Sequence, residues 1–129
     1  MNRVSKPAAS SESRWVEDLF AAIDRKDASA FVAFLSPEAS LRFANQAPVR
    51  GRDAIGESIA GLFAALHELQ HRVEDRWSVP GALVVTGNVT YVRHDGSSLC
   101  VPFANVMKVR DERIYDYQIF VDNSALFAT

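Results

Sequence analysis

The sequence contains a single cysteine, Cys100, which excludes an internal disulfide. The fold must therefore depend on a hydrophobic core, and a hydrophobic content of 48% is enough to build one. The N-terminal letters MNRVSKPAASSESR lack an apolar run that could act as a secretory signal or a membrane span. We therefore expect a cytoplasmic protein that makes no membrane contact.

An excess of charge of one sign is also lacking. Fourteen Lys and Arg residues against sixteen Asp and Glu residues give a formal net charge of −2, with both signs interspersed. Nucleic-acid-binding proteins usually carry a basic stripe or arm, so we expect no nucleic-acid partner. The length fits one domain, which we place at residues 13–129, and residues 1–12 are expected to be a mobile tail because they lack apolar periodicity.

The N-terminal half shows helical spacing. Apolar residues recur every three or four positions from Trp15 to Ile23, which predicts a helix that ends near Lys26. Asp27 is a candidate N-cap for a second helix over residues 28–35, and Pro37 should stop it.

A short strand over residues 41–43 and a loop over residues 45–52 precede the longest predicted helix, with Asp53 as its N-cap. The apolar stripe of this helix consists of Ile55, Ile59, Leu62, Phe63, Leu66 and Leu69. Gly56 and Gly61 interrupt it, and we expect each to pack closely against a neighbouring backbone.

From His71 onward the apolar period is two, which predicts four antiparallel strands with turns at residues 80–81, 94–97 and 110–113. Helices in the first half and strands in the second predict an α+β fold. The expected architecture is a curved antiparallel β-sheet wrapped around N-terminal helices in the order α-α-β-α-β-β-β-β, a half-open cone.

This order resembles the nuclear transport factor 2-like superfamily, also called the cystatin-like cone, over residues 14–127. The segments PVRGRDAIGESIAGLF (residues 48–63) and RIYDYQIFVDNSALF (residues 113–127) resemble its SnoaL-like branch, which includes polyketide cyclases and stands close to limonene epoxide hydrolases and ketosteroid isomerases. The resemblance implies a pocket for a small apolar, carbonyl-containing molecule. It does not determine the chemistry, because these cones host several activities.

A hairpin centred on Asp95-Gly96 would place Asn105 opposite Thr86 and Phe103 opposite Asn88, all on one sheet face. If that face is concave, the pocket is an apolar funnel with two amides and a hydroxyl near its floor. If it faces outward, Pro102, Ala104 and Val106 line the inside instead. The candidate ligand-binding residues are Trp15, Phe43, Asn45, Thr86, Asn88, Phe103 and Asn105.

Asp122 is the candidate catalytic residue, because the resemblance implies an aspartate at the end of the closing strand that acts as general acid or base. Apolar neighbours would raise its pKa towards neutrality. Alternatively, Asp122-Asn123-Ser124 is a turn in which the carboxylate bonds locally. The Arg-x-Asp of epoxide hydrolases falls here on Thr86 and Asn88, or two residues later on Asn88 and Thr90, and neither register gives Arg or Asp. Phe43 and Asn45 supply no base aspartate, so epoxide hydrolysis and steroid isomerisation in their known forms are disfavoured.

No cofactor or metal is expected. His67 and His71 have the spacing of a helical metal site, but no third ligand is evident. A homodimer through the outer sheet face is expected, because members of the superfamily commonly pair in this way. Its predicted contacts are Val89, Tyr91, Val106, Tyr117 and Ile119. Two hypotheses remain: an enzyme that moves a proton with Asp122, or a non-catalytic binding module of the same fold.

Overall fold

The structure, a computed structural model, describes residues 6–127, with side chains from Arg14 onward. Three helices and six strands make up this part of the chain. They are α1 (Lys6–Asp24), α2 (Ala28–Val32), β1 (Leu35–Phe43), β2 (Val49–Arg50), α3 (Arg52–Ala64), β3 (Glu68–Val79), β4 (Ala82–Val92), β5 (Ser98–Arg110) and β6 (Arg113–Val121). None of these helices has the length and apolar character needed to cross a membrane.

The six strands form one sheet in the order β2-β1-β6-β5-β4-β3. Strands β3 to β6 form the predicted antiparallel meander. Strand β1 lies parallel to β6, so the sheet is mixed rather than wholly antiparallel. The α+β class and the element order are confirmed, with the short strand β2 as an addition within the predicted loop.

The N-terminal elements differ from prediction in their bounds. Helix α1 begins at Lys6 rather than near residue 13, and only residues 1–5 of the predicted mobile tail lie outside the described residues. Asp27 caps α2 as predicted, because its Oδ1 accepts a hydrogen bond from the Ala30 N–H at 3.0 Å. However, α2 ends at Val32, and β1 runs through Pro37, where the pairing of β1 with β6 is irregular and a missing N–H is tolerated.

Helix α3 is shorter than its apolar stripe. It ends at Ala64, so Leu66 follows the helix and Leu69 belongs to β3. Gly51, with φ 93°, occupies the N-cap position, and Asp53 lies in the first turn. The expected close backbone packing of the helical glycines is wrong: a Cβ on Gly56 would meet only a Val32 methyl group, and one on Gly61 would meet nothing.

The core lies between the helices and the sheet face that they cover, called the inner face. Every second residue of β4 from Leu83 to Tyr91 is buried on this face. Strand β4 pairs with β5, and the first pair after the connecting loop is Val92 with Ser98. In this register Val85 lies opposite Asn105, and Gly87 lies opposite Phe103.

This register reverses several predicted orientations. Of the predicted dimer contacts, Val106 faces outward, whereas Val89, Tyr91, Tyr117 and Ile119 face inward. The predicted phase of β4 follows from a hairpin centred between residues 95 and 96, and the predicted phase of β6 follows from an Asp122 that points into the pocket. Because side chains alternate along a strand, both predicted phases turned the inward residues outward.

Candidate functional site

A cavity of about 40 Å³ lies between the inner face of the sheet and the helices. Most of its wall is apolar, and its polar lining residues are His71, Tyr91, Asn105 and Tyr117. Four further lining residues are only partly buried and therefore border both the cavity and the solvent: Ile23, Phe43, Leu62 and Ile119. We define these four as the mouth of the cavity.

His71 lines the cavity and forms a hydrogen-bonded pair with Asp24. The register of β3 directs His71 inward, and Asp24 is the last residue of α1. The His71 Nδ1 lies 2.7 Å from the Asp24 Oδ1, and the His71 backbone N–H donates to Oδ2 at 3.0 Å. The imidazole also packs against the rings of Phe20 and Phe103, at centroid distances of 4.9 Å and 5.1 Å. The Asp24 carboxylate and these two aromatic rings therefore fix the orientation of the imidazole.

The pairing determines which nitrogen of His71 can react. An ionised carboxylate can only accept hydrogen bonds, so in the neutral imidazole Nδ1 carries the proton and Nε2 presents its lone pair. Among the described residues, Nε2 has no hydrogen-bond partner. A base oriented by a carboxylate in an apolar cavity is the arrangement that proton transfer requires.

Asn105 and Tyr117 form the second polar group of the cavity. Asn105 is 2% exposed, and its Nδ2 donates to the Tyr117 hydroxyl at 3.5 Å. Its Oδ1 is buried without a partner. Burial raises the pKa of Tyr117 above its ordinary value and raises the pKa of Tyr91 to about 12. Both phenols therefore stay neutral at physiological pH.

The predicted ligand-binding residues are only partly brought together. Phe43, Phe103 and Asn105 line the cavity. Trp15 instead packs edge-on against Phe34, with ring centroids 5.5 Å apart, and borders a separate surface groove. Asn45 is exposed beyond the end of β1.

Thr86 and Asn88 lie on the outer face of the sheet, so their predicted place beside Asn105 is wrong. Thr86 pairs with Ala104 and Asn88 with Pro102. The Asn88 Nδ2 donates to Glu74 Oε2 at 3.0 Å on the protein surface. The predicted register is wrong because the connection between β4 and β5 spans residues 93–97. Within this connection, the Arg93 N–H donates a hydrogen bond to the Ser97 carbonyl.

Asp122 does not enter the cavity, which corrects the prediction that it does. It is exposed, and its Oδ1 accepts hydrogen bonds from the Ser124 N–H at 3.1 Å and the Ser124 hydroxyl at 2.7 Å. These bonds favour the ionised form and hold the pKa of Asp122 below its ordinary value, opposite to the expected rise. The alternative of a local turn is confirmed.

The His71–Asp24 pair was not predicted from the sequence, because the residues lie 47 positions apart. Two signals were present. Asp24 follows Phe20 by four positions and therefore lies on the apolar face of α1. His71 shares the inward phase of β3 with Leu69 and Val73. No cluster of three or more metal-ligating side chains occurs within residues 6–127.

The sequence matches the family described as SnoaL-like domain over residues 16–117. Its fold is similar to that of a protein from Jannaschia sp. CCS1 assigned as a SnoaL-like polyketide cyclase, with 19% identity, a TM-score of 0.81 and coverage of 98% of this chain and 94% of that one.

An LEH-like epoxide hydrolase of M. tuberculosis is similar at 15% identity and a TM-score of 0.75, covering 88% of this chain and 84% of that one. TerC, co-crystallised with polyporic acid, is similar at 14% identity and a TM-score of 0.77, covering 88% and 92%. None of the curated proteins matches the sequence.

Proposed function

The chain belongs to the SnoaL-like domain family, and on that premise we propose that it binds a small, largely apolar carbonyl compound and transfers a proton on it with His71. The observation that carries this proposal is the His71–Asp24 pair, whose free Nε2 lies in the wall of an apolar cavity. Asp122, the acid predicted from the resemblance, has no part in it.

In the proposed reaction, the His71 Nε2 takes a proton from the carbon next to the carbonyl group. The electron pair of the broken C–H bond moves towards the carbonyl oxygen, and the positive charge on the imidazole is balanced by Asp24. Return of the proton to a different atom of the same molecule completes an isomerisation. No external oxidant or reductant is needed for these steps.

Ligand entry must widen the cavity. Because one water needs roughly 10–15 Å³ of such space, a cavity of about 40 Å³ has room for only a few waters. Phe43 and Leu62 at the mouth are only partly buried, so their side chains can rotate outward without breaking the core. We expect binding to displace these two side chains first.

The proposal is tested by following deuterium exchange from D2O into the α-carbons of 2-tetralone by NMR. The unmodified protein should accelerate exchange, and His71→Gln should lower the protein-dependent rate by roughly a hundredfold or more, because a positioned base contributes at least that factor. Asp24→Asn should lower it by roughly tenfold or more, since the imidazole loses the group that orients it.

His94→Gln is the matched control for the histidine change. His94 lies outside the cavity, where its Nε2 donates to the Ala64 carbonyl at 2.9 Å, so exchange should be unaffected. Equal rates for the unmodified protein and His71→Gln would contradict the proposal.

Non-catalytic binding is the second candidate function. It is favoured by the fact that no carboxyl group is among the described residues that line the cavity, where His71 is the only base. In that case 2-tetralone should shift the NMR signals of the cavity residues without any protein-dependent exchange.

A further inference from the structure

The amide of Asn105 is the buried polar group that the proposed reaction leaves unexplained. We propose that Asn105 determines ligand specificity, and that the natural ligand carries a hydroxyl group, as a phenol or an enol, that donates a hydrogen bond to the Asn105 Oδ1. This inference rests on the proposed function, because it assumes that the cavity is the ligand site.

The hydrogen-bonding state of Asn105 supports the inference. Its side chain is on the inner face of β5, 2% exposed, and it lines the cavity. Its Nδ2 faces the Tyr117 hydroxyl, whereas its Oδ1 has no partner. A buried acceptor without a donor destabilises the folded protein, so such a group is expected to have a partner in the functional state.

None of the described protein groups donates a hydrogen bond to Oδ1. The proton of the His71 Nδ1 is bound to Asp24, and the cross-strand neighbours Val85 and Ile119 are aliphatic. Tyr91 and Tyr117 also line the cavity, but neither hydroxyl donates a hydrogen bond to Oδ1. A hydroxyl of the ligand can meet this need, and it would displace any water held there while keeping the hydrogen bond.

Three probes of similar size test this inference by NMR titration of the unmodified protein. Phenol can donate a hydrogen bond, toluene can neither donate nor accept one, and benzonitrile can only accept. We expect phenol to bind roughly tenfold more tightly than toluene, with benzonitrile no tighter than toluene because two acceptors would face each other.

Asn105→Leu, which replaces the amide with an aliphatic group of similar shape, should reverse the preference so that toluene binds better than phenol. Asn88→Leu removes an amide from the outer face of the same sheet and should leave the preference unchanged. The probe comparison in the unmodified protein does not depend on either variant folding.

The possible results separate the two proposals. Toluene binding as tightly as phenol in the cavity would overturn the role of Asn105 but leave the cavity as a ligand site. Tighter binding of benzonitrile would mean that the amide offers a donor, which also overturns the inference. Failure of all three probes to bind would overturn the ligand site and the inference together.

Discussion

Two turns of the chain each contain an aspartate that is hydrogen-bonded to a serine two positions later. Asp95 and Asp122 each accept hydrogen bonds from the N–H and the hydroxyl of the serine two positions later. In both cases these bonds hold the pKa of the carboxyl below its ordinary value. A lowered pKa at these aspartates thus marks a surface turn and not a catalytic acid.

Asp122→Ala should slightly lower stability and leave proton exchange unchanged, because the carboxylate contacts only its own turn. The pKa of Asp122 is lower in the folded protein than its ordinary value of 3.8. Its stabilisation is therefore complete above that value and is lost as the pH falls through the lowered pKa. Urea unfolding should show a lower midpoint for the variant at pH 6 and a difference that shrinks as the pH falls below 3.8. A variant that loses exchange activity would restore Asp122 as a catalytic candidate.

At the level of single elements, Gly87 in β4 allows the bulge in β3. The pairing of β3 with β4 shifts between Val73 and Asp75, and this brings the Arg72 backbone against the Gly87 Cα. A Cβ at residue 87 would overlap the Arg72 carbonyl oxygen. Glycine is therefore required at this position because a side chain would not fit, and not because the backbone makes a turn.

Gly87→Ala should destabilise the protein by about 1–3 kcal/mol, because the strand backbone must move to admit a methyl group. Gly61→Ala is the matched control: the site is helical and open, so the same change should stabilise the protein by about 0.5–1 kcal/mol. Thermal and urea unfolding of both variants would show the opposite signs. Equal stability of Gly87→Ala and the unmodified protein would mean that the bulge relaxes freely.

The helices and strands could be predicted from the sequence because apolar periodicity reports burial along one element. The register in which neighbouring strands pair could not be predicted in this way. The predicted hairpin centre lay between Asp95 and Gly96, whereas the connection takes up residues 93–97 and centres on Asp95. A shift of one residue exchanges the two faces of a strand, which placed Thr86 and Asn88 in the cavity by mistake.

The same limit applies to the candidate site. The place of Phe43, Phe103 and Asn105 in the cavity wall could be predicted because the phase of β5 and the end of β1 can be read locally. The His71–Asp24 contact joins α1 to β3, and no local pattern predicts which helix residue will meet which strand residue. Such pairs emerge only when the elements pack.

At the scale of the whole molecule, the outer face of the sheet carries an exposed apolar surface. Trp77, Val79 and Phe120 are 56%, 64% and 55% exposed, and the register places them on the same face as Val84 and Val106. Clustered exposed apolar side chains of this kind are typical of interaction surfaces. We propose that this face, with Val106 as the one retained contact from the sequence analysis, joins two copies of the chain.

The proposed homodimer is tested by light scattering. The unmodified protein should have twice the mass of one chain, and the double change Trp77→Glu and Phe120→Glu should produce monomers, because charges would be buried in the interface. Phe127→Glu changes an exposed aromatic residue outside the sheet and should remain dimeric. A monomeric unmodified protein would refute the proposal.

The parallel pair of β1 and β6 joins strands from opposite ends of the described chain. During synthesis, β1 leaves the ribosome before β6, its main partner and the last of the described strands. Until β6 emerges, β1 can pair only with the two residues of β2. In that interval the nascent chain holds an incomplete sheet and an exposed core, which leaves it open to chaperones and aggregation.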